Sequence, residues 1–234
     1  KSAQTQYKVI LESIKNVEDF ISVVDRIGIE RKPALHGRES QNGIIKILGP
    51  TKEFYDLLLP GMDGIEKYVS AEAQYIYNSY LAPMIINEAA ETSSPCPVVD
   101  QENDTSATNN SSVILEINAQ EGKRFLFTGD AGVKAFEDVA ERYSLSNIYW
   151  LDVPHHGARR NLSSELIDTM RPTYALISAK GGSDTKHPRK ALVFCLRKHG
   201  AKVYSTSKSG SLRHKFGDFP ERNGYSTAEE VFKS

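Results

Sequence analysis

The sequence has little cysteine: two residues, Cys96 and Cys195, in 234. That number excludes the disulfide-rich secreted scaffolds and makes a reducing cytoplasm the expected setting. Cys96, between prolines in a polar stretch, is expected to be an exposed thiol without a catalytic base. Cys195, among the apolar residues of a helical segment, is expected in the core. Long apolar runs are also missing. No stretch approaches the ~20 apolar residues of a membrane-spanning helix, so no membrane partner is expected. Neither sign of charge dominates, with 29 Lys and Arg against 30 Asp and Glu. This excludes bulk attraction to nucleic acid but leaves room for a local basic rim. Three matches to the glycosylation sequon, beginning at Asn103, Asn110 and Asn161, are read as chance. There is no internal repeat.

What remains is the composition of an ordinary globular domain, 39% hydrophobic and 25% charged. Residues 5–28 carry Val9, Ile10, Ile14, Val17, Phe20, Ile21, Val24 and Ile27 at helical spacing, with Gly28 as a stop. Ile44–Leu48 reads as a strand closed by Gly49-Pro50, and Thr51 as the cap of a helix over 53–59. A second helical stretch is expected within 61–90. From Thr92 to Ser112, Ser, Thr, Asn, Asp and Pro dominate, so 91–112 is expected to be a mobile insertion, read either as a tolerated surface loop or as a substrate lid. Beyond Ser112 the rhythm is strict: strands at 113–117, 124–127, 148–153, 174–178 and 201–206, and helices at 132–143, 163–170 and 188–199. Strands alternating with helices argue for an α/β architecture.

The chain is organised around Phe125 to Gly157. Phe125-Leu126-Phe127-Thr128-Gly129-Asp130 and Ile148-Tyr149-Trp150-Leu151-Asp152-Val153-Pro154-His155-His156-Gly157 have the same shape: an apolar run that turns polar at its C-terminal end. In open α/β sheets chemistry gathers beyond the C-terminal ends of the strands. A carboxylate and an imidazole at neighbouring strand ends suit a metal site or an acid–base pair.

These runs, together with Ala158-Arg159-Arg160-Asn161-Leu162-Ser163 and with Ile177-Ser178-Ala179, Lys186-His187-Pro188-Arg189 and Ala201-Lys202-Val203-Tyr204, resemble the C-terminal half of a metallo-β-lactamase-fold hydrolase. The nearest pattern is the branch that includes the soluble domain of bacterial competence DNA-uptake channel proteins and its stand-alone relatives. The resemblance covers about 43–60 and 110–206. It implies a single domain over 1–234 with an αββα sandwich, and one or two divalent ions, Zn²⁺ or Mn²⁺. Asp130 and His156 would bind metal, with His155 as a neighbouring ligand. Lys186, His187, Arg189 and Arg159 would hold substrate phosphate, and Asp130, His156 and His187 would form the catalytic set.

Two departures bear on that carry-over. The family signature His-x-His-x-Asp-His is absent from the six histidines of the chain, and Asn110 stands where other branches carry a ligand histidine. The N-terminal metal-signature strands are therefore expected to be missing, with an upstream segment or partner chain completing the sheet and site. Each residue also has a plainer reading. Asp130 could cap a helix, and His156 could be a core histidine. His155 and His156, if adjacent on a strand, would face opposite ways. His187 could sit on an ordinary loop, and Arg159 could point to solvent. His36, His199 and His214 have no evident partner and read as surface. The functional expectation is a metal-dependent phosphodiesterase or nuclease. The alternative is an inactive module of the same fold, acting as a binding or regulatory subunit or as a released fragment of a larger assembly.

Overall fold

The structure, a computed structural model, describes residues 18–62, 96, 99, 103, 106–181, 187–215, 217–218, 220, 223–224 and 228–232. The helical stretch expected within 61–90, most of the insertion up to residue 105, and Lys186 lie outside the described residues. The chain divides into two compact units, 1–34 and 35–234. In the first, a helix spans 18–26, and Phe20 within it and Ile27 just beyond it are exposed.

The second unit is a six-stranded mixed sheet with helices, so the α/β expectation holds. Its elements are β1 (Ile45–Gly49), α1 (Lys52–Leu58), α2 (Ala107–Asn110), β2 (Ile114–Asn118), β3 (Arg124–Phe127), α3 (Val133–Ala140), β4 (Trp150–Asp152), α4 (Ser164–Met170), β5 (Tyr174–Ile177), α5 (Lys190–Lys198), β6 (Lys202–Ser205) and α6 (Thr206–Ser209). The strands lie side by side in chain order. β1, β2 and β3 pair antiparallel, and β3 to β6 pair parallel. The change of direction follows from connection length. The short turn at Glu121-Gly122, both at positive φ, suits a hairpin. Each later connection carries a helix or a longer loop, as a parallel crossover requires. The second sheet of a sandwich is not among the described residues.

The sequence's punctuation explains the helix ends. Thr51 and Ser163 cap α1 and α4 by accepting from the Phe54 and Leu166 N–H groups. α4 stops at Arg171, in the left-handed region, just before Pro172. α3 buries Val133, Phe136 and Val139 at spacings of three, and packs across β1. α5 packs on β6 and buries Leu192, Val193, Cys195 and Leu196. It begins at Lys190, so Pro188 lies outside it rather than at its first position.

Three expectations are corrected. Cys96 is not an exposed thiol: it is buried and bonded to Cys195, with Cα atoms 5.7 Å apart across 99 residues. The polar composition around Cys96 hid a buried position, and no local pattern reveals a partner so distant in sequence. The end of the expected mobile insertion is folded as α2, with Ala107 and Asn110 buried. His199 and His214 are not bare surface residues. His199 Nδ1 lies 3.2 Å from Asp168 Oδ1, and His214 packs among Phe125, Tyr149 and Tyr174.

Candidate active site

Because β3, β4 and β5 are parallel neighbours, their C-terminal ends share one edge of the sheet. Asp130 follows β3, His155 and His156 follow β4, and the loop carrying His187 follows β5. The loops are stitched together by the backbone. The His155 N–H donates to the Gly129 carbonyl at 3.0 Å, and the Arg189 N–H donates to the Gly157 carbonyl at 3.0 Å. Thr128 Oγ1 donates to the Asp152 carbonyl at 2.6 Å. Asn161 Nδ2 donates to the Asp130 carbonyl at 2.9 Å.

His155 and His156 are not on a strand. After Pro154, in extended backbone, both enter a turn with φ of 49° and 58°, and Gly157 continues it at 79°. Strand alternation does not apply to such a turn, so the two rings are free of the opposite-face rule. Their centroids are 6.0 Å apart, and the His155 ring lies 5.9 Å from His187. Left-handed backbone at two successive non-glycine residues is uncommon and concentrates at functional sites.

The hydrogen bonds separate the two imidazoles chemically. His156 Nδ1 lies 2.7 Å from the Ser178 carbonyl. A carbonyl only accepts, so Nδ1 carries the proton and Nε2 is left with its lone pair, the arrangement common in metal-binding histidines. His155 Nδ1 faces the Asn109 amide nitrogen at 3.1 Å. That group donates, so the neutral ring holds its proton on Nε2 and can offer it to an anion.

Asp130 does not cap α3. The cap position is Gly132, which makes no side-chain bond to the helix start. The Asp130 N–H donates to Ser112 Oγ at 3.2 Å. Asn110 plays a structural part. It is fully buried and accepts from the Ala135 N–H at 3.3 Å. A Cβ on Gly132 would come within 2.6 Å of Asn110 Oδ1, so glycine there lets the helix close onto this side chain.

Asp152 is the residue that sequence reasoning passed over. Burial pushes its carboxyl up to about 6, and the neighbouring Asp130 charge pushes the same way. A Thr128 backbone hydrogen bond and His156 pull in the opposite direction without overcoming burial. The available signal was an acidic residue ending an apolar strand, where an apolar one would carry no desolvation cost. His187 is held below the usual histidine range, first by burial and then by Arg189, His155 and His156. Its Nδ1 is buried and makes no hydrogen bond.

Beside these groups lies a cavity of ≈ 540 Å³, lined in part by Asn109, His155, Arg159, Arg160, His187 and Arg189. Arg159, Arg160 and Arg189 share this cavity, whereas Asp130 and His156 do not line it. Nor do the ligand atoms of Asp130, His155 and His156 fall within 4.8 Å of one another. Among the described residues the group that does so is Cys96, Cys195 and His199.

No family model matches the chain, and no solved structure matches it. Three proteins are similar to it over part of its length. ComE operon protein 3 of Bacillus subtilis is 26% identical over 130 residues. Competence protein ComA of Neisseria gonorrhoeae is 32% identical over 111 residues. Recombination protein 2 of Haemophilus influenzae is 33% identical over 113 residues. About half of this chain is matched in each case, but only 17%, 16% and 14% of the length of those proteins.

Proposed function

We propose that the chain binds the phosphate backbone of nucleic acid in the cavity rimmed by Arg159, Arg160 and Arg189, and that it hydrolyses phosphodiesters with a divalent metal, Zn²⁺ or Mn²⁺, held beside that cavity. The observation that supports this reading is the cavity: three guanidinium groups and two imidazoles around ≈ 540 Å³, in a protein of formal net charge −1. Arginine's planar fork matches phosphate oxygens, and a locally basic groove on a neutral protein offers several adjacent sites for phosphate oxygens. The similarity to proteins named for competence and recombination favours nucleic acid as the ligand.

Asp130 and His156, with Asp152 beside them, would hold the metal within the metallo-β-lactamase fold that the sequence resembles. The donor types are those a divalent ion takes, carboxylate oxygens and an imidazole whose Nδ1 is turned to the Ser178 carbonyl, but their ligand atoms do not gather within 4.8 Å of one another. A bound divalent ion supplies Lewis acidity and lowers the pKa of coordinated water to near 7. Further ligands would come from a segment or partner chain outside the described residues. The chain's own side chains do the positioning. The arginines anchor successive phosphates, and His155 offers an Nε2–H to a phosphate oxygen. His187, kept neutral, can take or give a proton beside them.

Cleavage of DNA and RNA with Mn²⁺ or Zn²⁺ tests the reading. Asp130→Ala should lower the rate by more than the ~10–100-fold typical of outer-shell changes at metal sites, with binding retained. Full activity in that variant would remove Asp130 from the metal set. A second reading, a nucleic-acid-binding module without catalysis, is favoured by the spread of Asp130, His155 and His156 beyond 4.8 Å. Its signature is tight binding with no cleavage under any divalent metal.

A further inference from the structure

Outside the cavity, Cys96, Cys195 and His199 each place a ligand atom within 4.8 Å of the others. The chain builds this cluster from two sources. Cys195 lies in α5 and His199 follows one turn later, at the spacing that puts both on one helix face. Cys96 arrives from 99 residues upstream. Cys96 and Cys195 are both buried, and they are joined in the structure as a disulfide.

The histidine is the unusual member. Its side chain is only 10% exposed, and its Nε2 is buried without a hydrogen-bond partner. A buried polar atom left in this way costs free energy that evolution normally removes. The other nitrogen, Nδ1, lies 3.2 Å from an Asp168 carboxylate oxygen. Asp168 Oδ1 also accepts from Arg171 Nη2 at 2.8 Å. With Nδ1–H directed at Asp168, Nε2 presents a lone pair. Carboxylate, imidazole and metal in that order is a recurring arrangement, in which the carboxylate fixes the tautomer and raises the basicity of the ligand.

We propose that Cys96, Cys195 and His199 form a Zn²⁺ site when the cysteines are reduced, and that the disulfide is the alternative, metal-free state of the same cluster. Two thiolates and an imidazole are the donor set of a borderline-soft cation that accepts tetrahedral geometry, and three protein ligands leave one position for water. A dithiol reductant converts the disulfide state to the thiol state. It delivers two electrons and two protons to the sulfurs, the S–S bond breaks, and the dithiol leaves as its own disulfide. Zn²⁺ then displaces both thiol protons as it binds. Either state links Cys96 to α5 across 99 residues of chain.

Co²⁺ titration of the full chain, reduced with a phosphine under argon, reads this site selectively. The chain's only cysteines are these two, so a thiolate-to-cobalt charge-transfer band cannot arise from the Asp130 region. The expected result is such a band, its intensity saturating at one thiolate-bound ion per chain and displaced by Zn²⁺. The oxidised protein should show no charge-transfer band, whatever Co²⁺ the Asp130 region takes. His199→Ala should weaken Co²⁺ binding at least tenfold, and Asp168→Asn about 10–100-fold, as for other partners of metal-bound histidines. Thiol reactivity of the reduced wild-type protein gives a readout that needs no variant: Zn²⁺ should slow the modification of both cysteines. A reduced protein that shows no charge-transfer band and unchanged thiol reactivity with Zn²⁺ overturns the site. A band that survives His199→Ala with unaltered affinity removes the histidine from it.

Discussion

A carboxyl half-buried at the end of a strand lowers the cost of its charge by keeping a proton or by taking a cation. Asp152 is in this position, pushed up to about 6 from an ordinary value of 3.8. Its folded-state pKa is raised, so its protonated form favours folding. That contribution is complete below about pH 4 and is lost as the pH rises through about 6. Above that point the ionised carboxylate costs the metal-free fold on the order of 2–3 kcal/mol, with hydrogen bonds unchanged. Asp152→Asn keeps the shape and removes the charge. In chelator-treated protein, the variant should therefore be more stable than wild type at about pH 8 by up to ~2 kcal/mol, and the gap should close by about pH 4. Urea denaturation across that range is the measurement. A difference that does not vary with pH would mean that the charge of this carboxyl does not destabilise the fold.

At the scale of elements, the turn from His155 to Gly157 decides where the imidazoles point. Gly157 sits at φ 79°, and a Cβ there would come within 2.9 Å of Pro188 and 3.0 Å of Ile177. Gly157→Ala therefore combines an unfavourable backbone region with a clash against a ring and a β-branched side chain, neither of which yields easily. A loss of ~1–3 kcal/mol is expected, read as a lower urea midpoint with unchanged slope. The altered turn should also shift His156 away from the Ser178 carbonyl. This turn shows what the sequence could and could not disclose. Apolar runs ending in Asp130 and His155 were legible because burial writes a pattern into every strand. The left-handed turn was not, because histidine gives no sign of positive φ as glycine does. Placing His155 and His156 on a strand predicted opposite faces, whereas the turn brings their rings within 6.0 Å. Cys96 was opaque for a different reason: its partner is 99 residues away, and its neighbours are polar.

For the whole molecule, the order of the strands is what gathers the site. The hairpin between β2 and β3 reverses the chain, and every later strand then runs parallel, so three loops that are far apart in sequence meet at one edge. This was legible from the alternation of helices and strands, whereas the assembly of Arg159, Arg160 and Arg189 around one cavity needed the folded positions. The consequence is electrostatic. With 29 basic against 30 acidic side chains, the molecule as a whole offers a polyanion no net attraction, so the proposed binding of nucleic acid would rest on local neutralisation of phosphates. Each phosphate neutralised on duplex DNA contributes about 0.9 to the slope of log affinity against log salt, and about 0.7 on a single strand. Replacing Arg159, Arg160 and Arg189 together by alanine should thus flatten that slope by about 2 to 3, with affinity lost at low salt and little further loss at high salt. Fluorescence anisotropy with a labelled oligonucleotide over a salt series gives both quantities. If the triple variant binds more weakly with the slope intact, the arginines shape the cavity without neutralising phosphates, and the backbone contacts lie elsewhere on the protein. If the slope falls as expected, the cavity carries the ionic part of binding, and the phosphates it neutralises lie beside His155 and His187, which line the same cavity.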